Sequence, residues 1–355
     1  MLKRKSRKTF FTTPSHGGKL CICHKFYQWY RSDISETEAY KPQEELLKAE
    51  AVASVIYGTS VSFLTNGATS GVIAAVLACC GIKDRQRGAY AGKNGNKILV
   101  WNNSHPCHKN AVRLAGAETV EYVLRYNEEW GIYEGIKTEE DLSYIESLIK
   151  KHTPVAIIVT SPSYEGIVSN VPEISKICKK YGVYLIADEA HGALYPFSPN
   201  LPESAIHYAD FTVQSLHKTA GGINPTALLH SNCAVNPKPS LNMISTTSPS
   251  YPMLATIEAN VRCLNSQKGR QKIEDLITEV KKIKSALVNF EFYGDDATKI
   301  LMKKGGVSGY QLSQTLYNKY NIEDERANEK SVLLLTGLGT IKDKLQRLRS
   351  LAHYN

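Results

Sequence analysis

FTVQSLHKTAGG, residues 211–222, ends an apolar, strand-like run with a histidine and a lysine side by side before two glycines. Lysine is rare at the end of a buried strand, because burial disfavours the charged ammonium. The same desolvation leaves a neutral amine, which is a nucleophile. A solvated surface lysine is the common alternative, so the interpretation of Lys218 depends on the motifs around it.

The segment is one of a series of strand-like runs between about residues 50 and 230. The other runs are VSFLTNG, KILVWNN, TVEYV, VAIIVTSPS, VYLIADEA and TALLH, and the helical segments between them are SGVIAAVLACCG, HKNAVRLAGA, EEDLSYIESLIKKH and VPEISKICKKYG. Glycine or proline stands at the joints, as at Gly81, Gly116, Pro154 and Gly182. This alternation predicts an α/β fold with a mostly parallel central sheet flanked by helices.

The pattern changes after about residue 265. A long amphipathic helix, GRQKIEDLITEVKKIKSALVNF, is followed by a strand, a helix, a strand and a last helix: ATKILMKK, GVSGYQLSQTLYNKY, SVLLLTGL and TIKDKLQRLRSLAHYN. This order predicts a small C-terminal α+β domain. We therefore expect an N-terminal segment over 1–50, a large domain over 51–265 and the small domain over 266–355.

Composition limits the class of protein. The chain has 355 residues, of which 42% are hydrophobic, enough for a large core. It contains no apolar run of the roughly 18 residues that a membrane helix needs and no secretory h-region, so we expect a cytoplasmic protein. The eight cysteines are scattered and read as reduced thiols. CICH, residues 21–24, lacks a usual zinc spacing, so no metal site is predicted.

The formal net charge is +9, and part of it lies in a basic N-terminal arm made of Lys3, Arg4, Lys5, Arg7 and Lys8. Elsewhere basic residues are mixed with acidic ones and no nucleic-acid-binding motif is present. The pattern favours a solvated arm over a nucleic-acid site. The excess positive charge also suits anionic ligands such as a phosphorylated cofactor.

Three further motifs follow predicted strands, where active sites of such sheets lie. TNGATSG, residues 65–71, opens a helix and suits an anion, although such a glycine-rich turn alone is more often only a turn. ADEAHG places Asp188 at a strand end, as a metal ligand, a catalytic acid, a counter-ion for a protonated ring nitrogen or a turn cap. NNSHPCHKN places His105 after another strand, with His108 as a competitor.

Together these motifs supply what pyridoxal phosphate requires: an amine for a Schiff base, an acid for the pyridinium nitrogen and amides for the phosphate. SLHKTAGG, IADEAHGA, TNGATSG, TSPSYPMLATIEA and the opening FFTTPSHGGK resemble the bacterial-type ornithine/lysine/arginine decarboxylases. These are fold-type I pyridoxal-phosphate enzymes. The resemblance extends from about residue 9 to residue 345 and implies a basic amino acid as substrate.

The resemblance also implies roles for individual residues. Lys218 would attach the cofactor, Asp188 would pair with its ring nitrogen and His105 would stack on the ring. The residues implied near the phosphate or the ring are Gly67, Thr69, Ser70, His191, Ser215 and His217. His105 is preferred to His108 because an ungapped reading as far as Gly116 keeps the family's spacing. The family's His-Lys-Ser is His105-Pro106-Cys107 here, so a serine contact is not expected.

Assembly and reaction type also follow from the resemblance. TSPSY, residues 247–251, would reach the active site of a neighbouring subunit, which implies a homodimer with shared sites. The late strand SVLLLTGLGT has no arginine to hold a substrate carboxylate, and the nearest, Arg326, is predicted in a polar loop. This favours decarboxylation over transamination, because an unclamped carboxylate in an apolar setting is poorly solvated.

Two alternatives remain open: an aminotransferase, and a weakly active homologue that serves as a cofactor-binding partner subunit. The second arises because family members usually continue for about a hundred further residues, into a C-terminal domain that this sequence does not show.

Overall fold

The computed structural model describes residues 9–10, 42–81, 96–247, 249–340 and 342–353. The basic arm, CICH and most of FFTTPSHGGK lie outside the described residues. The strands are β1 Thr9–Phe10, β2 Ser60–Leu64, β3 Lys97–Trp101, β4 Glu118–Tyr122, β5 Tyr126–Asn127, β6 Ile132–Tyr133, β7 Ala156–Thr160, β8 Tyr184–Asp188, β9 Phe211–Ser215, β10 Ala227–Ser231, β11 Glu291–Tyr293, β12 Lys299–Lys303, β13 Ile322–Glu323, β14 Arg326–Ala327 and β15 Val332–Leu335. The helices are α1 Pro42–Tyr57, α2 Gly67–Cys79, α3 Pro106–Leu114, α4 Glu139–His152, α5 Val171–Tyr181, α6 Leu216–Thr219, α7 Lys238–Ile244, α8 Tyr251–Asn265, α9 Gln267–Ala286, α10 Gly309–Lys319 and α11 Lys342–Arg349.

The central sheet has seven strands in the order β2-β10-β9-β8-β7-β3-β4. Strand β10 is antiparallel to both of its neighbours, and the other pairs are parallel. Its middle strands are apolar and buried, as expected when helices cover both faces. The predicted α/β class with a mostly parallel sheet is confirmed.

A second sheet, of order β11-β12-β15-β14, is antiparallel and built from residues after 290. Its core contains apolar residues of α9, α10 and α11 together with those of β12 and β15. The division of the chain into domains at residues 50 and 265 remains a prediction. No helix in the described part of the chain is long and apolar enough to cross a membrane.

Two helices begin earlier than the sequence pattern predicts, and both shifts affect the motifs. Helix α2 begins at Gly67 rather than Ser70, so TNGATSG forms its first turn. Helix α3 begins at Pro106, which makes His105 its N-cap residue. Proline suits the first helical position, because its missing N–H would have no partner there.

Candidate active site

Three strand ends of the central sheet meet at one edge. Strand β7 ends at Thr160 and β8 at Asp188, and these two residues are paired in register. Strand β9 ends at Ser215, and the short helix α6 that follows contains Lys218. Parallel strands present their carboxyl ends at the same edge, so the topology brings the aspartate and the lysine together.

A cavity of about 810 Å³ opens at this edge. Of the residues predicted from the sequence, His105, Asp188, His191 and Lys218 line it. Its aromatic lining residues are Trp101, Tyr126, Tyr133 and Tyr164. The volume falls in the range of sites for small molecules and cofactors.

Lys218 is half-buried, and its Nζ atom lies 3.2 Å from Nε2 of His191. Burial lowers the pKa of Lys218, against the opposing effects of Asp188, Cys107 and Glu325. A lower pKa raises the fraction of neutral amine at neutral pH, as expected for a nucleophilic lysine.

Asp188 is buried and held by two donors. Nε2 of His108 donates to its Oδ2 atom at 2.7 Å, and the N–H of Ala190 donates to Oδ1 at 3.1 Å. Burial would raise the pKa of Asp188, but the bond and charge of His108, the charge of Lys218 and the Ala190 bond together lower it to about 2. Asp188 is therefore an anion at neutral pH.

The two histidines of NNSHPCHKN take different positions. His105 lines the cavity, and its Nδ1 accepts a hydrogen bond from the N–H of Cys107 at 3.2 Å. Burial lowers the pKa of His105. His108 is fully buried against Asp188, and its Nδ1 has no hydrogen-bond partner among the described residues. The sequence analysis preferred His105 and did not predict the contact of His108 with Asp188, which joins residues 80 positions apart.

The residues predicted to bind the phosphate do not line the cavity. Gly67, Thr69, Ser70, Ser215 and His217 are absent from the described lining residues. Gly67 opens α2 with φ of 73°, and Asn66 provides no side-chain cap, so the helix amides have no capping side chain. The Ser70 hydroxyl donates to the carbonyl of Gly67, and Nδ1 of His217 donates to the carbonyl of Thr226. The Ser215 hydroxyl is buried without a partner in the described part of the chain.

Cys107, His108 and Asp188 offer ligand atoms within 4.8 Å of one another, which is close enough for a metal ion. Burial, and to a smaller extent the charge of Asp188, raises the pKa of the Cys107 thiol to about 12, and thiolate is the form that binds metals. The Oδ2 atom of Asp188 already accepts from His108. Hydrogen bonding accounts for this cluster without a metal ion.

The sequence analysis did not identify several residues that line the cavity. Thr160 ends β7, and its hydroxyl is buried with no described partner. The prediction for Arg326 was wrong: it lies in β14, not in a loop, and lines the cavity. Its guanidinium is 3.4 Å from Oε1 of Glu165, another lining residue. The strand is too short to show in local propensity and exists because it pairs with β15.

Residues 6–300 match the protein family described as Orn/Lys/Arg decarboxylase, major domain. The chain belongs to this family. The chain is 30% identical over 321 residues to uncharacterized protein YaaO of Bacillus subtilis, covering 85% of this chain and 63% of that protein. It is 26% identical over 334 residues to an arginine decarboxylase of Bacillus anthracis, covering 88% of this chain and 64% of that protein. The chain therefore spans less than two thirds of the length of these relatives.

A solved structure confirms the fold expected for the family. The Escherichia coli constitutive lysine decarboxylase superposes with a TM-score of 0.77 at 18% identity, over 94% of this chain and 54% of that one. Lysine decarboxylase A from Pseudomonas aeruginosa superposes with a TM-score of 0.75 at 18% identity, over 92% of this chain and 54% of that one. The architecture is that of fold-type I pyridoxal-phosphate enzymes, as predicted.

The site of this decarboxylase-family chain fits pyridoxal phosphate on structural grounds. It combines a half-buried amine of lowered pKa, a carboxylate kept ionised by His108, and an uncapped helix N-terminus. The buried, unpartnered hydroxyl of Ser215 precedes the helix that carries the amine. Buried hydroxyls normally have partners, so one with no partner among the described residues, three positions before Lys218, fits a ligand with acceptor oxygens.

Proposed function

We propose that this protein is a pyridoxal-phosphate-dependent decarboxylase that converts a basic amino acid, namely lysine, arginine or ornithine, into the corresponding amine and CO2. One observation carries the proposal. Lys218, with a lowered pKa, and Asp188, held as an anion, lie at neighbouring strand ends that open into one cavity. Family membership and the names of the arginine and lysine decarboxylases among the relatives support it.

The residues that would hold the cofactor lie at the edge of the central sheet where β7, β8 and β9 end. Lys218 would attach it, Asp188 would face its ring nitrogen and His105 would lie against its ring. The helix N-terminus at Gly67, with Ser215, would bind the phosphate, joined by Thr69, Ser70 and His217. When bound, pyridoxal phosphate supplies an electron sink for the electrons left on the α-carbon after CO2 departs.

The protein's own residues set the proton positions. Asp188 is an anion with one oxygen bound to His108 and the other to the Ala190 amide. An anion at this point keeps a proton on a ring nitrogen placed against it. Lys218, as a neutral amine, is able to attack a carbonyl carbon. His191, which lies beside Lys218 and near the predicted ring position, holds that amine in place.

A basic substrate suits the charges of the cavity. Glu165 lines it and holds Arg326 by a long contact of 3.4 Å. Its other oxygen accepts from Ser163 at 3.1 Å. The cationic end of a lysine, arginine or ornithine side chain would compete with Arg326 for this carboxylate, because both are donors to it.

Arg326 also supports a second candidate function, transamination. Decarboxylation is favoured by the lack of an arginine in SVLLLTGLGT, but Arg326 of the neighbouring strand β14 lines the cavity. An arginine that binds the substrate carboxylate would retain the carboxylate through the reaction. Arg326 is 60% exposed and engaged with Glu165, so the decarboxylase remains the proposed function.

Product analysis distinguishes the candidates. The purified chain, supplied with pyridoxal phosphate, is incubated with equal amounts of lysine, arginine and ornithine and with 2-oxoglutarate as an amino acceptor. We expect cadaverine, agmatine or putrescine by mass spectrometry, with no glutamate formed. Glutamate without an amine product would establish an aminotransferase. Neither product, with cofactor bound, would favour the cofactor-binding partner subunit.

An Arg326→Leu variant serves as the matched test of the second candidate. A decarboxylase that does not depend on this guanidinium keeps amine formation within a few fold of the parent chain. An aminotransferase that clamps the substrate through Arg326 loses glutamate formation.

A further inference from the structure

Thr160 carries a hydroxyl group that has no partner in the described part of the chain. It is the last residue of β7 and lines the cavity, and its Oγ1 atom is buried. Buried hydroxyls normally have a partner, because an unpaired one has given up its hydrogen bonds with water. Threonine turns about its Cα–Cβ bond between staggered positions, so the hydroxyl is able to face a ligand in the cavity.

Thr160 stands beside Asp188 at the edge of the central sheet. The two residues are paired in register on the parallel strands β7 and β8. Such residues present their side chains to the same face, and neighbouring strands lie about 4.8 Å apart. Strand β9, which leads to Lys218, lies on the opposite side of β8. A group that contacts Asp188 therefore has Lys218 on one side and Thr160 on the other.

The order of the strands gives the proposed cofactor a direction across the sheet. In pyridoxal phosphate the 4-carbon, which an amine attacks, lies opposite the ring nitrogen, and the 3-hydroxyl and the phosphate-bearing 5-carbon lie on either side of that line. The proposed phosphate residues Ser215 and Gly67 follow β9 and β2, both on one side of β8, whereas β7 lies on the other. The 3-oxygen would thus lie toward the end of β7.

We propose that the hydroxyl of Thr160 forms a hydrogen bond with the 3-oxygen of bound pyridoxal phosphate and so fixes the ring against Asp188. This deepens the proposed function and rests on it for the identity of the cofactor. A hydroxyl both donates and accepts, so it matches the 3-oxygen in its ionised and in its protonated form.

Two other side chains of the cavity compete for this role. The hydroxyl of Ser104 is also buried without a described partner, but Ser104 follows β3, which is one strand further from Asp188. His191 follows β8, and each of its ring nitrogens lies within 3.2 Å of a lysine nitrogen. Thr160 is the residue that combines a place next to Asp188 with a hydroxyl that has no described partner.

The test compares two cofactors in the full chain. The chain without bound cofactor is titrated with pyridoxal 5′-phosphate and with 3-deoxypyridoxal 5′-phosphate, which has hydrogen in place of the 3-hydroxyl, and Kd is measured by equilibrium dialysis. In Thr160→Val, which keeps the shape of the side chain, we expect the Kd for pyridoxal phosphate to rise by about tenfold. The Kd for the deoxy compound should change by less than about twofold. Any effect of the missing 3-hydroxyl on attachment to Lys218 is common to both proteins and cancels in the comparison.

Thr212→Val is the matched control. Thr212 lies in β9, is fully buried and has a hydroxyl without a described partner, but it is not among the described lining residues. Its replacement should leave both Kd values unchanged. Thr160→Ser, which keeps the hydroxyl, should bind both compounds like the parent chain.

An equal change of the two Kd values in Thr160→Val, or no change in either, overturns the proposal. It is also overturned if Ser104→Ala or His191→Phe loses the discrimination between the two compounds while Thr160→Val keeps it. Should Thr160→Val fail to fold, Thr160→Ala decides by the same comparison.

The outcome is separable from that of the proposed function, because binding is measured without substrate. Discrimination that depends on Thr160 in a protein that forms no amine leaves this inference standing and removes the decarboxylase proposal. An active decarboxylase in which Thr160→Val binds both compounds like the parent chain removes this inference alone. If the parent chain binds neither compound, both proposals fail.

Discussion

Single residues of the site owe their charge states to specific neighbours. Burial alone would favour the neutral form of both Asp188 and Lys218, but the groups around the two side chains differ. Asp188 receives two hydrogen bonds and remains an anion, whereas Lys218 faces a histidine and has a lowered pKa. Hydrogen bonds keep Asp188 ionised against the effect of burial, whereas burial is the largest effect on Lys218 and lowers its pKa.

A substitution of His108 tests its control of Asp188. In His108→Leu the carboxylate loses this hydrogen-bond donor, so burial raises the pKa of Asp188 and turnover falls by about tenfold or more. His108→Gln keeps an N–H donor and should recover most of the activity. The measurement is kcat for amine formation over a range of pH. Equal kcat in the Leu variant and the parent chain would remove His108 from the mechanism.

Glu189, the neighbour of Asp188, should make stability depend on pH. Burial raises the pKa of Glu189 to about 7, although Ser204, Gln214 and the N–H of Ala205 donate to its carboxylate and lower it. The folded state binds this proton more tightly than the unfolded chain, whose glutamate has a pKa of 4.5. The stabilisation is complete below the unfolded pKa and disappears as pH rises through the folded one.

The expected loss between about pH 5 and 8 is at most about 3 kcal/mol of unfolding free energy. Urea unfolding at the two pH values measures it, and Glu189→Gln should flatten the difference. An identical pH dependence in the variant would show that Glu189 does not carry the effect.

Helix α2 contains Gly67, Thr69 and Ser70, which are predicted to bind the phosphate. Gly71 lets it approach the sheet, because a Cβ there would lie 2.8 Å from both Leu64 Cδ1 and Val213 Cγ1. Gly71→Val should lower the free energy of unfolding by about 2 kcal/mol through overpacking and weaken cofactor binding. Urea unfolding and a cofactor titration measure the two effects.

Gly305→Val is the control for this prediction. A Cβ at Gly305 meets nothing within 4 Å, so the variant should unfold like the parent chain and bind cofactor equally well. If both variants lose stability to the same extent, close packing of α2 is not the cause.

Helices and strands with a clear hydrophobic pattern were predictable from the sequence. Strands that depend on pairing between residues far apart in the sequence were not. The buried runs that became β3, β7 and β8 carry their own signal, because apolar residues fill most of each strand. Strand β14 and the hairpin β5–β6 have two residues per strand and no local pattern. Their existence depends on pairing, which sequence periodicity does not report.

The same distinction holds for the site. Lys218, Asp188, His105 and His191 were predicted from motifs and line one cavity. Lys299 was not, because its contact with His191 joins residues 108 positions apart and no motif marks it. The roles of the predicted phosphate residues remain predictions.

The whole molecule brings two sheets to one cavity. Arg326 and Asn328 reach it from the second sheet and its loop, while Asp188 and Lys218 come from the central one. The geometry of the cavity therefore depends on the position of the small antiparallel sheet. Lys299, at the start of β12, contacts His191, whose other ring nitrogen lies 3.2 Å from Nζ of Lys218.

The proposed homodimer is a prediction at this scale. Because TSPSY is expected to complete a neighbouring active site, the protein should have a mass about twice the 39.4 kDa of one chain. Light scattering coupled to size-exclusion chromatography measures this at the concentration of the activity assay. A single-chain mass in an active sample would contradict shared sites.

The central claim is that Lys218 attaches the cofactor, and the most direct measurement is borohydride fixation followed by peptide mapping. The chain is incubated with pyridoxal phosphate, reduced and digested, and the modified peptide is identified by mass spectrometry. We expect the added cofactor mass on the peptide that contains Lys218, and we expect this label to be lost in Lys218→Ala. Label on another lysine, such as Lys299, or no label on the parent chain would contradict it.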